Sequence, residues 1–341
     1  MILSRIYFSA NEDFLSTAAD ELRPHFRDAV MEPLGPDIAA FEDEGVSIAT
    51  LAETIRERKL AFTRHLFRGV AEIPLDEVQD LDALGDIAIE AWQQIPLPPR
   101  VALHVWQSGE VAVPYRNDQL RRRLEAALIE IDVDVVRGGA THILSACLVP
   151  DGLILGSNGA ANALSDWPGG RVSLAKPKDQ ISRSEFKLEE IIRTNLVELP
   201  TSGTALDLGA APGGWTRILL NRGLQVWAVD SGALDSRLEG APGLTYIPTL
   251  AGPFLAENTQ QFDLVVNDMR MEPGLSASIM NSTARFVPVG GLAVMSLKLP
   301  PGSPLQVIDS TVATLRRNWE TVALRQLFHN RHEVTAILRR R

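Results

Sequence analysis

The sequence predicts an α/β protein: a mostly parallel, doubly wound sheet in the C-terminal half, preceded by smaller α+β domains. Three observations predict it. From about residue 184 onward, short apolar runs alternate with amphipathic stretches across short connections, the pattern of strand–helix–strand units paired in parallel. One apolar run, Thr204–Leu208, passes straight into a glycine-containing turn, Gly209-Ala-Ala-Pro-Gly-Gly214. The last two runs, Thr321–Phe328 and Glu333–Leu338, are separated only by the polar turn His329-Asn-Arg-His332, which makes the final strand antiparallel.

Composition sets the bounds. At 341 residues the chain suits two or three domains, and 45% hydrophobic against 22% charged residues leaves ample material for packed cores. No apolar run approaches the ~18 residues of a membrane-spanning helix, and the N-terminus turns acidic too early for a signal peptide, so neither a membrane nor an export route is expected. Cys147 is the single cysteine, which excludes an internal disulfide and a cysteine-rich zinc site; a buried thiol in a reducing cytoplasm is the expectation. The six histidines are scattered, so no metal is expected. A monomer is expected as well.

The formal net charge of -10 argues against a polyanionic partner until its distribution is considered. Residues 1–180 hold 17 basic and 28 acidic side chains, whereas residues 181–341 hold 16 and 15. The acidity belongs to the front, and the back half is free to carry a local basic surface.

Element by element, the front reads as two α+β units. In residues 1–80, Arg5–Ser9 is a strand, Glu12–Phe26 and Ile48–Arg58 are helices, and Phe62–Ile73 is a strand, a ferredoxin-like arrangement. Residues 81–175 hold a strand near Val101–Trp106, a helix around Asp118–Glu130 and a strand near His142–Leu148. The polar stretch Ala175–Ser182 marks the boundary with a third domain, residues 181–341. There, Ser184–Leu196 is an amphipathic helix with Phe186, Ile191, Ile192 and Leu196 apolar. Strands follow at Thr204–Leu208, Gln225–Val229, Leu244–Ile247, Phe262–Val266 and Leu292–Leu297, with helices at Gly214–Asn221, Ala277–Phe286 and Leu305–Arg316. The terminal Arg339–Arg341 reads as a frayed, solvated tail.

The turn after Leu208 carries the chemistry. Gly209 permits a tight bend, and Pro212, Gly213 and Gly214 open a helix whose unpaired N–H groups face a crevice at the carboxyl end of a strand. Open α/β sheets bind ligands in that crevice. Apolar residues run into Asp207 just before the turn, and Asp230 closes the next strand, placed to accept hydrogen bonds from the two hydroxyls of a nucleoside ribose. A dinucleotide site is disfavoured, because Ala211 stands where a second glycine would admit a pyrophosphate; Trp215 replaces the lysine that a phosphate loop requires.

Asp207-Leu-Gly-Ala-Ala-Pro-Gly-Gly-Trp215 resembles the cofactor motif of the FtsJ (RrmJ-like) ribose 2′-O-methyltransferases. The resemblance implies a Rossmann-like class I methyltransferase sheet and an S-adenosylmethionine site. Ala211–Trp215 would line its methionine end, Asp230 would hold its ribose, and Ser184 would sit close by. The family usually places a carboxylate near the adenine about twenty residues after the ribose-binding residue. Here Tyr246–Gly252 has none, leaving backbone or Thr249. Lys187, Asp268, Lys298 and Glu333 resemble the family's catalytic Lys–Asp–Lys–Glu tetrad in order and context. It implies that Lys298 accepts the proton of the 2′-hydroxyl, that Asp268 orients it and touches the cofactor, and that Lys187 and Glu333 complete the charge network. A lysine with a lowered pKa in a partly dry cleft suits that task.

Ala146-Cys-Leu-Val-Pro-Asp-Gly152, Trp167-Pro-Gly-Gly-Arg171 and Ser182-Arg-Ser-Glu-Phe-Lys-Leu-Glu-Glu190 narrow the resemblance to the bacterial enzymes that modify a cytidine of 23S ribosomal RNA and carry a ferredoxin-like and THUMP extension. Residues 1–80 would then be the ferredoxin-like domain, 81–175 the THUMP-like domain and 181–341 the methyltransferase domain, with RNA as partner. Arg183, Arg270 and Arg331 are candidates for its backbone. Two other readings stand beside this one: a methyltransferase for a small molecule or protein, and a catalytically silent RNA-binding assembly factor.

Overall fold

The computed structural model describes residues 4–26, 29–42 and 45–341, arranged as two compact units, Met1–Val172 and Ser173–Arg341. In the first unit the order is β1 (Arg5–Ser9), α1 (Leu15–Leu22), β2 (Glu32–Gly35), β3 (Ile38–Glu42), α2 (Ile48–Arg58), β4 (His65–Pro74), α3 (Leu81–Trp92), β5 (Arg100–Gln107), α4 (Asn117–Glu130), β6 (Asp134–Val135), β7 (His142–Val149) and β8 (Gly152–Gly159). The strands form one sheet in the order β2-β3-β1-β4-β8-β7-β5-β6. Residues 1–80 and residues 81–175 thus share a single sheet, joined by the antiparallel ladder from Arg68↔Ser157 to Pro74↔Gly152.

Five of these elements, β2, β3, α3, β6 and β8, are absent from the sequence reading. The β2–β3 hairpin contains Pro33, which cannot donate to a ladder; β2 tolerates it because it is the sheet edge. The glycines of β8 read as a loop, yet a Cβ at Gly156 would overlap the Phe67 ring and lie 2.6 Å from the Arg68 carbonyl, so close approach demands glycine there. The helix α3 is capped by Asp80, whose carboxylate accepts from the amides of Asp82 and Ala83.

The second unit comprises α5 (Glu185–Arg193), β9 (Thr204–Leu208), α6 (Gly214–Asn221), β10 (Gln225–Val229), β11 (Leu244–Ile247), α7 (Ala251–Glu257), β12 (Leu264–Asn267), α8 (Pro273–Thr283), β13 (Leu292–Lys298), α9 (Pro304–Leu315), β14 (Trp319–Arg325) and β15 (Glu333–Arg340). Its sheet order is β11-β10-β9-β12-β13-β15-β14. The first five strands in this order are parallel, and β15 runs antiparallel between β13 and β14. The expected mostly parallel sheet with an antiparallel last strand is therefore present. Every residue of β12 is buried, as a central strand covered on both faces requires. Leu264, Val266, Val294 and Ile337 pack with Leu188 and Ile191 of α5 and with Trp215, Ile218 and Leu219 of α6.

The chain steps from β9 outward to β10 and β11, then returns to the other side of β9 as β12. That reversal opens a crevice at the carboxyl ends of β9, β10 and β12. Two local expectations need correction. The strand expected at Thr321–Phe328 ends at Arg325, because the amides of Phe328 and His329 donate to a side chain, Glu190, and not to a ladder. Arg340 is no frayed tail: it pairs in β15 and donates from Nε to the Ala284 carbonyl at 2.8 Å and from Nη1 to Asn318 at 3.0 Å.

Trp319 opens β14 fully buried, with its indole donating to the Met280 carbonyl at 3.0 Å. Trp319→Ala should cost about 3–5 kcal/mol by leaving a cavity between α8 and the sheet. A urea titration should show an earlier midpoint for this unit; an unchanged midpoint would remove Trp319 from its core.

Candidate active site

The crevice holds a cavity of about 570 Å³, within the range of small-molecule sites. Its wall combines Ser182–Ser184, Asp207, Gly209–Pro212, Trp215, Val229–Ser231, Thr249–Ala251 and Asp268–Met271. Of the residues expected to bind a cofactor, Ser184, Asp207, Gly209, Ala211, Pro212, Trp215, Asp230 and Asp268 lie on this wall. Gly213 and Gly214 do not. A Cβ at Gly213 would overlap Leu238, and one at Gly214 would overlap Ser182, so these glycines serve close packing at the start of α6. Gly209, at φ 78°, would bring a Cβ within 2.6 Å of Met269 and so must stay bare for the two loops to meet.

Local hydrogen bonds shape the wall. Asp230 accepts the Ala211 amide at 3.0 Å and the Gly232 amide at 2.7 Å, one on each oxygen; each oxygen keeps a further lone pair. The Trp215 indole donates to the Ser184 carbonyl at 2.7 Å, locking α6 to the 182–184 segment. Glu185 folds back to accept the amides of Ile181 and Ser182 and pairs with Arg217. The Ser182-x-x-Glu185 spacing is the sequence signal for that return.

Asp207 is almost fully buried and accepts from the Thr216 hydroxyl at 2.6 Å. Burial, aided by the nearby Asp268 and Asp230, pushes its carboxyl up to about 7 even against the Thr216 bond. Among the described residues it has no cation partner. The cavity is thus large enough for a nucleoside-sized ligand, offers the Asp230 carboxylate on its wall, and presents at Asp207 a buried acid that a cationic centre would complete. Those features fit S-adenosylmethionine.

Lys187, Asp268, Lys298 and Glu333 come from α5, the loop after β12, the end of β13 and the start of β15, and the structure brings all four together. The Lys187 ammonium lies 2.8 Å from Asp268 Oδ1 and 2.8 Å from Glu333 Oε1. Lys298 lies 2.7 Å from Asp268 Oδ1 and also pairs with Glu333. Each carboxylate therefore bridges both amines. Glu333 is a buried member of this square and makes no surface pair with Arg331. Lys187 also donates to Ser296 at 3.4 Å and stands 5.9 Å over the Trp215 ring. Asp268 is the member on the cavity wall. Sequence reasoning missed Thr216, Ser296 and Glu190, whose residue types alone carry no signal.

The charge states follow from this geometry. Burial would raise Asp268, but Lys187 and Lys298 outweigh it and hold the carboxyl below its ordinary range. Burial would lower Lys298, but Asp268 and Glu333 outweigh it and the amine is raised. The expectation of a lowered lysine pKa is thus corrected: at rest Lys298 is a held ammonium, because two carboxylates face it at contact distance.

Residues 180–300 match the family described as FtsJ-like methyltransferase. The chain is 36% identical over 177 residues to the "Ribosomal RNA large subunit methyltransferase M" of Halorhodospira halophila, covering 51% of each chain. It is 35% identical over 188 residues to the protein of the same name from Laribacter hongkongensis, covering 51% of this chain and 52% of that one. The chain spans about half the length of the curated relatives it matches. Among solved structures, TrmN from Thermus thermophilus covers 99% of both chains at 14% identity with a TM-score of 0.41. Among the described residues, no helix is long and apolar enough to cross a membrane, and no group of three or more His, Cys, Asp or Glu side chains could hold a metal.

Because Asp207 holds its proton more tightly folded than unfolded, its contribution to stability is complete below the ordinary carboxylate range and is lost as pH rises through about 7. Between pH 5 and pH 8 that loss should be on the order of 2–3 kcal/mol. Asp207→Asn, which stays neutral, should flatten the profile of unfolding free energy over the same interval. A variant as pH-sensitive as the parent would remove Asp207 as its source.

Proposed function

We propose that this chain transfers a methyl group from S-adenosylmethionine to a ribose 2′-hydroxyl of RNA, with a cytidine of 23S ribosomal RNA as the acceptor and the cytoplasm as its place of work. The observation that carries the reading is the square of two ammoniums and two carboxylates with one corner, Asp268, on the wall of a nucleoside-sized cavity.

S-adenosylmethionine supplies an electrophilic methyl on a sulfonium cation. The chain must hold the hydroxyl in line and take its proton. Asp230 suits the cofactor ribose, since both its oxygens retain acceptor capacity. Asp207, lacking a cation, offers a counter-charge to the cofactor. Lys298 is the proton acceptor in this reading, which requires that it first give up the proton that Asp268 and Glu333 stabilise. Lys187 shares those carboxylates, and its competing charge keeps either from belonging to Lys298 alone. Thr249, on the wall, is available where an acidic residue for the adenine is missing.

An anionic acceptor is supported by the cations around the cavity. Arg183 and Arg270 are exposed on its rim, and Arg331 is exposed two residues before Glu333; none holds an ion pair with another described residue. Arg217 and Arg237, by contrast, are paired with carboxylates. Unpaired surface arginines suit phosphates.

Incubation with labelled cofactor and total RNA lacking the modification, followed by mapping of the labelled ribose, tests the reading. Label on RNA supports it; label on a protein or small molecule with RNA absent, or no label at all, overturns it. Lys298→Ala should abolish transfer while leaving cofactor affinity nearly intact; retained turnover would take Lys298 out of the mechanism. Asp230→Ala should weaken cofactor binding at least about tenfold, the loss of one good hydrogen bond to a charged group, read by calorimetry. Because Lys298 rests as an ammonium, the single-turnover rate should climb about tenfold per pH unit between 7 and 9; a flat profile would assign the proton elsewhere.

A further inference from the structure

Two carboxylate contacts tie the helix α5 to the β14–β15 hairpin. One is the Lys187–Glu333 pair. The other is Glu190, one turn further along the same helix. Glu190 is buried, and both its oxygens are engaged by the turn that precedes Glu333. Oε1 accepts the Phe328 amide at 2.8 Å; Oε2 accepts the His329 amide at 3.0 Å and lies 2.7 Å from His329 Nδ1. The His329 ring stacks on Phe186, with centroids 4.9 Å apart and planes 28° from parallel. Glu190 is not on the cavity wall, so none of its contacts is with a ligand there.

The turn between this anchor and Glu333 is stiff. The Asn330 amide donates to the Leu327 carbonyl at 3.1 Å, and its side chain donates to Thr335 at 3.1 Å. Gln326 donates to the Arg331 carbonyl at 3.0 Å. The His332 carbonyl accepts the Leu299 amide at 2.8 Å, directly beside Lys298. A displacement of residues 328 and 329 therefore carries through to Glu333, because no slack residue lies between them.

A buried carboxylate needs its donors, and here the donors are two backbone amides on different oxygens. Glutamine has the same shape but only one acceptor oxygen, so its amino group would confront one of the two N–H donors. The turn must then move.

We propose that Glu190 is a positioning residue: it pins the turn that delivers Glu333 to Lys298 and Lys187, and so sets the spacing of the charge square from outside it. The inference rests on the reading of Lys298 as proton acceptor for its catalytic meaning, but its geometric content is independent of any substrate. Among the described residues the charged groups paired with Lys298 are Asp268 and Glu333, with Lys187 across both of them. If Glu333 retreats, Lys298 loses one of its two attractions and becomes neutral at lower pH.

The test is competitive labelling of the full-length chain with acetic anhydride across a pH series, with the Lys298 peptide quantified by mass spectrometry. No RNA or cofactor is needed. Glu190→Gln should lower the pH of half-reaction of Lys298 by about one unit, the scale of losing one close opposite charge. His329→Ala, which removes one of three bonds to Glu190, should move it less and in the same direction. Cofactor affinity by calorimetry should be unchanged in both. Where the chain methylates RNA, Glu190→Gln should also reduce single-turnover rate about a hundredfold and move the rising limb of its pH profile to lower pH. A lowered melting temperature with Lys298 reactivity unmoved in either variant would overturn the proposal and leave Glu190 a packing residue. Should Glu190→Gln fail to fold, His329→Ala decides by the same reading. Failure of the parent to methylate RNA would sink the proposed function and leave the labelling result standing.

Discussion

Two carboxylates, each shared between the same two ammonium groups, are the constraint around which the C-terminal unit is organised. Lys187 and Glu333 have side chains 8% and 10% exposed, and Asp268 15%. Removing charges from water costs several kcal/mol per ion, and mutual attraction repays it only when each partner is met at contact distance. Here every amine has two carboxylates and every carboxylate two amines. Deleting one member would strand charge in a partly dry place, a loss of about 3–5 kcal/mol. Such a cluster is a poor way to stabilise a fold, since apolar side chains would do as well or better. Its presence beside a cavity is more naturally a matter of chemistry.

The sheet topology explains how four distant positions converge. In a fully parallel sheet, strand ends at the crevice are all carboxyl ends, so a residue that begins a strand would lie on the far edge. Because β15 runs antiparallel to β13, its first residue stands opposite the last residue of β13, and the register pairs Lys298 with Glu333 directly. Directly opposite residues share a face, which aims both side chains at the same point. Asp268 enters from the end of β12, on the other flank of β13, and Lys187 reaches in from α5 above them. One strand direction thus makes the difference between a surface glutamate and a bridging one.

Much of this was legible in the sequence because the informative residues sit at the ends of strands, where a periodic apolar run stops at a polar side chain. Asp230, Asp268 and Lys298 all have that signature, and the turn from Gly209 to Gly214 adds its own. What could not be read is whatever depends on counting neighbours in space. The raised pKa of Lys298 follows from two carboxylates at contact distance, one of them 35 positions away in the chain. Glu190 looks like the solvated side of an amphipathic helix, and only the turn at 328–329 makes it a buried acceptor. In the front unit the same limit applies to β8, whose glycines suggest a loop until Phe67 and the Arg68 carbonyl are seen against it. The shared eight-stranded sheet depends on the β4–β8 ladder, a pairing across about 85 residues that no local pattern encodes.

The carboxylates at the crevice also differ among themselves in an ordered way. Asp207, Asp230 and Asp268 follow one another at the ends of adjacent strands, β10, β9 and β12 in spatial order placing Asp207 in the middle. Asp268 is neutralised by two lysines and Asp230 accepts two backbone amides, whereas Asp207 is met by the hydroxyl and backbone of one uncharged residue, Thr216. The middle acid therefore carries the unmet demand for positive charge, and it is the one whose proton is held up to about 7. A cationic ligand entering the cavity would meet that demand from the inside, while Arg183 and Arg270, without ion pairs among the described residues, would meet anions at the rim. Under the proposed function these two preferences are complementary: a sulfonium is drawn to the floor and a phosphate-bearing acceptor to the mouth. The net acidity of the whole chain does not oppose an RNA substrate, because what an approaching phosphate meets first is the local field of the rim.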